Sequence, residues 1–140
     1  LNRYSYLNEP NKFLEIIVPR EKNIYDKASV FIKNTIPNNY TIYAIRGYKD
    51  YIEDFDACIK QRDTIAKIIT GMFTDLKTDK SIEENNQGIN DYFTLNDLNA
   101  TIDIYCQDFE ETYRLENNFT EGLVFAIHNE EFREWRLNYK

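Results

Sequence analysis

The sequence predicts an α+β fold, with two or three helices packed on an antiparallel sheet that ends in a C-terminal meander. Three observations carry that expectation. Apolar residues step by three and four over about 20–35 and 48–77, which is the stripe of an amphipathic helix. Short β-branched runs at Phe13–Val18 and residues 40–45 are followed closely by Pro19 and Gly47, the punctuation expected of strands. Residues 101–107 then alternate apolar with polar, as a half-buried strand does. At 140 residues and 42% hydrophobic, the chain is long enough to bury a core and fits a single globular domain, residues 1–140.

Taken in order, the first helix is expected at about 20–35. Pro19 stands near its first turn and Glu21 suits the positive end of the helix dipole. Ile24, Ala28, Phe31 and Ile32 share a face, and Pro37 stops the helix. The longest helix runs over about 48–77, where Tyr48, Ile52, Phe55, Ile59, Ala66, Ile69, Phe73 and Leu76 form a stripe that Arg62 interrupts. Residues 78–88, TDKSIEENNQG, read as a flexible solvated loop. Residues 101–107, 123–127 and 135–140 form the meander, turning near 117–122 and 129–131. An all-α bundle is the alternative, because Leu98, Ile102, Tyr105, Phe109 and Tyr113 also fit one helical stripe opened by Thr94.

Composition excludes several function classes. The four glycines, Gly47, Gly71, Gly88 and Gly122, lie too far apart for a phosphate-binding loop or a dinucleotide fingerprint. Uncharged apolar runs fall short of the ~20 residues needed for a helical membrane span. Cys58 and Cys106 form no CxxC pair, and His128 is the sole histidine, so no known zinc-ligand spacing arises. No metal, cofactor or catalytic set is therefore expected. Both cysteines are expected to be reduced and structural, which favours a cytoplasmic location over a secreted one. Asn39, Asn99 and Asn118 each open an Asn-x-Thr sequon, the feature that would suit secretion. The chain begins with Leu1 and shows no charged-then-apolar leader, so a processed form or a fragment is expected.

Charge is unevenly placed. Residues 1–50 carry eight Lys and Arg against five acids, residues 51–100 five against ten, and residues 101–140 four against nine. A net charge of −7 disfavours nucleic acid and anionic lipid. The acids fall into three knots, Glu53–Asp54–Asp56, Asp108–Glu110–Glu111 and Glu130–Glu131–Glu134. Tyr40, Tyr43, Arg46, Tyr48 and Lys49 make the one aromatic-basic cluster, a mixture that suits base stacking or partner contact.

These features together suggest a non-enzymatic protein-interaction module of the regulator, inhibitor or immunity type, whose acidic surface meets a basic protein partner. Glu130, Glu131 and Glu134 would form an acidic rim around Trp135 as the aromatic anchor. A small metal-dependent hydrolase or nuclease-like enzyme using Asp103 and neighbouring acids is the second expectation. A carrier of a small apolar ligand, held between the long helix and the sheet, is the third.

Overall fold

A computed structural model describes residues 4–19, 25–37, 40–97 and 99–140. Its strands are β1 (Phe13–Val18), β2 (Lys27–Lys33), β3 (Ile42–Asp50), β4 (Lys77–Asn85), β5 (Gly88–Asn96), β6 (Ala100–Phe109) and β7 (Gly122–Asn129). Its helices are α1 (Phe55–Met72), α2 (Glu111–Asn117) and α3 (Glu130–Leu137). The strands form one antiparallel sheet in the order β1-β2-β3-β7-β6-β5-β4. The α+β class expected from the sequence is therefore the observed one, and the all-α alternative fails at β6.

Several expected elements are corrected. The stripe placed at 20–35 contains strand β2, and residues 20–24 lie outside the described ones. Phe31 and Ile32 are both buried although they point to opposite faces of the sheet. A strand buried on both sides loses its two-residue alternation and can imitate a helix. The long helix shrinks to α1, because Tyr48 belongs to β3, which runs on through Gly47. A side chain at Gly47 would meet the Tyr25 ring at 2.9 Å, so the glycine marks close packing and not the end of the strand. Asp54 starts α1, its carboxylate accepting from the Ala57 amide at 3.2 Å.

Where a loop was expected at 78–88, strand β4 pairs with β5 through a two-residue turn. All nine β4 residues are exposed, so no apolar alternation announces a strand that its ladder chiefly holds in place. The meander holds at β6 and β7, but its third member, at 135–140, does not form. Residues 130–137 are helix α3, with the Asn129 side chain accepting from the Phe132 amide at 2.9 Å. Phe132 and Trp135, spaced i and i+3, are both buried. Beyond α3, Tyr139 bridges to Leu7.

The cysteines correct a further expectation. Cys58 on α1 and Cys106 on β6 form a disulfide with 5.9 Å between their Cα atoms, and both are fully buried. Reduced thiols were the ground for favouring a cytoplasmic location, and the bridge removes it.

Each face of the sheet is covered over one half. Helix α1 packs on β5, β6 and β7 above a core of Cys58, Ala66, Leu95, Ile104, Cys106 and Leu123. On the opposite face, α3 and the N-terminal segment cover the β1–β2–β3 side, burying Tyr4, Leu7, Phe13, Phe31, Phe132 and Trp135 around Ala44. That second face stays open over β4, β5 and β6.

Candidate functional site

Pairing register dictates which side chains line the open half of this face. Ala44 belongs to the α3-side core and pairs with His128, Arg46 pairs with Ala126, and Tyr48 pairs with Val124. Because residues two apart share a face, His128, Ala126 and Val124 of β7 all look toward α3. The row through Ala126 continues to Asp103 on β6, Thr94 on β5 and Asp79 on β4. The next row runs through Val124 to Tyr105, Tyr92 and Ser81. Helix α3 adds Phe132, Arg133 and Arg136 along one side. Together these elements enclose a cleft of about 420 Å³.

At its centre His128 and Asp103, diagonal neighbours on β7 and β6, share a 2.8 Å contact from Nε2 to Oδ2. The Thr94 hydroxyl donates to the other Asp103 oxygen at 2.8 Å. Burial by itself would raise the Asp103 carboxyl. The hydrogen bonds from His128 and Thr94, helped by the charge of Arg133, outweigh it and hold the group below its ordinary range. His128 Nδ1 is buried without a partner. Asp103 is the sole hydrogen-bonding partner of His128 among the described residues, so no described hydroxyl or thiol is hydrogen-bonded to the ring. The pair therefore fixes an imidazole and a carboxylate in place without activating a third group.

Arg46 lies on the far side of Ala126 from Asp103. Its Nη1 donates to the Tyr48 hydroxyl at 3.3 Å, its Nε is buried without a partner, and its guanidinium stacks 5.9 Å from the Phe31 centroid. Tyr92 and Tyr105 lie beside it with ring centroids 4.7 Å apart. Burial pushes both phenols above their ordinary value, so they stay protonated donors through the neutral range.

The site residues expected from the sequence are placed differently. Trp135 is 3% exposed and its Nε1 donates to the Glu9 carbonyl at 2.7 Å, so it anchors the core and not a partner. Glu131 is held by Lys33 at 2.7 Å and Lys12 at 3.5 Å. Glu130 and Glu134 stay exposed. The aromatic-basic cluster divides: Arg46 lines the cleft, Tyr48 shares its sheet face and accepts its hydrogen bond, Tyr43 packs on Phe13, Tyr40 is exposed, and Lys49 points to the opposite face. Asp103, expected to work with neighbouring acids on a metal, has both oxygens hydrogen-bonded instead. Among the described residues no three His, Cys, Asp or Glu side chains come together. The space between α1 and the sheet, expected to hold an apolar ligand, is filled by core side chains.

Sequence reasoning missed the His128–Asp103 pair and the isolation of Arg46. Only the register between strands separated by α2 brings the first pair together. The presence of Arg46 in a β-branched run was the visible signal for the second.

No protein-family model, no curated protein and no solved structure matches this chain.

Proposed function

We propose that the protein is a non-enzymatic binding module whose ligand seat is the cleft between α3 and the open half of the sheet. The observation that carries this reading is Arg46, a half-buried guanidinium on the cleft wall that pairs with no carboxylate among the described residues. The field of Glu15 favours the charged guanidinium, but the two make no ion pair, so the fork of donors is left for a ligand to fill. The disulfide removes both thiols from chemistry and no described hydroxyl is hydrogen-bonded to His128, which favours binding over catalysis. A cleft of this size falls within the range of small-molecule sites. The test is a thermal-shift screen over small carboxylates, phosphates, amines and sugars, with hits mapped by amide chemical shifts. Ligand-induced shifts should centre on Thr94, Asn96, Asp103 and His128, and Ser81→Trp, a bulky change at an exposed rim position, should abolish them. A screen without hits, or shifts confined to the α1 face, would refute the reading.

A second reading, a basic-faced protein partner, draws on the exposure of Glu130 and Glu134 on α3. Such rim charges act mainly on association rate. A Glu130/Glu134→Lys variant should then associate more slowly with that partner at low salt, and an unchanged rate would remove this face as the interface.

A further inference from the structure

Resting on the cleft as the binding site, we infer that its ligand is a small hydroxylated monocarboxylate, of the sugar-acid class, seated on Arg46. Among the described residues two other guanidiniums withdrawn from solvent have carboxylate partners, whereas Arg136 at the cleft edge donates to the Tyr6 hydroxyl. Arg62 meets Asp91 and Asp63, and Arg114 lies 3.6 Å from Glu121. Among the described residues Arg46 has one hydrogen bond, to Tyr48, although a guanidinium offers five donors in a fork that matches a carboxylate. Glu15 of β1 lies on the same face and its field reaches Arg46, but the two make no ion pair, and Glu15 accepts from the Tyr4 hydroxyl.

Charge balance narrows the anion. The cleft wall carries Arg46, Arg133 and Arg136 against Asp79, Glu83 and Asp103, so it is formally neutral with His128 set aside. One negative charge answers Arg46. A dianion such as phosphate would face Asp103, fixed as a carboxylate two strands away, about 10 Å at ordinary strand spacing. The remaining wall is rich in hydrogen-bonding groups, with Tyr92, Ser81 and Asn96 around the paired Thr94. That lining suits hydroxyl groups on the ligand better than an apolar body.

Calorimetric titration with glucuronate, its neutral amide glucuronamide and inorganic phosphate tests the inference on the wild-type protein. Glucuronate should bind at least tenfold more tightly than the amide and more tightly than phosphate. Arg46→Lys should lose tenfold or more, because an ammonium cannot reproduce the fork; its melting curve checks that it folds. Amide binding equal to that of glucuronate, with Ser81→Trp blocking both, would overturn the carboxylate assignment while leaving the cleft as the site. Tighter binding of phosphate would overturn it too, as would no binding of glucuronate. Glucuronate binding that survives Ser81→Trp would instead overturn the cleft itself.

Discussion

Asp103 shows how one side chain can be read for stability and function together. Its two oxygens fasten β5 and β7 to β6 through Thr94 and His128. Asp103→Asn should cost about 1–3 kcal/mol at neutral pH, the price of weakening buried charge-assisted bonds. The sign with pH follows from the depressed carboxyl. Its stabilisation is present above the ordinary value of 3.8 and is lost as pH falls through the lower folded-state value. Urea unfolding at pH 7 and pH 3 should therefore show a smaller gap between wild type and variant at the lower pH, and an equal gap would disprove the assignment. Tyr92 and Tyr105 mirror this at the alkaline end. Their phenols are raised above the ordinary 10.0 by burial, so their contribution is complete below that value and is lost as pH rises through the folded-state values. Phenolate absorbance in the folded protein should lag the unfolded chain, and Tyr92→Phe with Tyr105→Phe should shrink the lag to the share left by Tyr25, whose phenol burial also raises. None of this was legible in the sequence, because Asp103 and His128 meet only through strand register. The acidic knots were legible as residues but not as roles. Asp54 caps α1, Glu110 caps α2 by accepting from the Thr112 and Tyr113 amides, and Glu130 and Glu131 lie in the first turn of α3. They complement the helix starts as much as they charge the surface.

At the level of elements, the legible ones were those covered on one side. β1 and β6 alternate or carry β-branched runs, and α1 keeps a stripe, so their patterns survive in the chain. β2 is at least half-buried on both faces and β4 on neither, and each extreme erases the alternation that marks a strand. Arg62, which interrupts the α1 stripe, is the informative exception. It is 4% exposed and reaches under the helix to Asp91 on β5 and across to Asp63. A polar residue on an apolar stripe is here a buried ion pair that ties α1 to the sheet. Arg62→Ala should cost on the order of 3 kcal/mol, because it leaves Asp91 without its counter-charge. Ile68→Ala, on the exposed side of the same helix, should cost under about 0.5 kcal/mol. Thermal or urea melts of the two variants give the comparison, and similar losses at both positions would contradict the orientation of α1.

Across the whole molecule, two cores on opposite faces share one sheet, and β7 couples them. Leu123 of β7 is buried under α1, while Ala126 is buried toward α3. The same strand is hydrogen-bonded to β3 on one side and to β6 on the other. Neither face can lose β7 without opening the ladder that supports the other. The chain carries a reporter and a lever on different faces. Its single tryptophan, Trp135, lies in the α3-side core, while the Cys58–Cys106 bridge crosses the α1-side core and closes a loop with a sequence separation of 48. Reducing that bridge should lower stability by about 2–4 kcal/mol, chiefly by freeing the unfolded chain. Coupling through β7 then requires that the loss reach the tryptophan. Urea unfolding followed by Trp135 fluorescence and by far-ultraviolet circular dichroism should give one midpoint in the oxidised protein, and one lower midpoint after reduction. If reduction shifted the dichroism curve and left the fluorescence midpoint in place, the two faces would unfold separately, and β7 would not be the coupling strand.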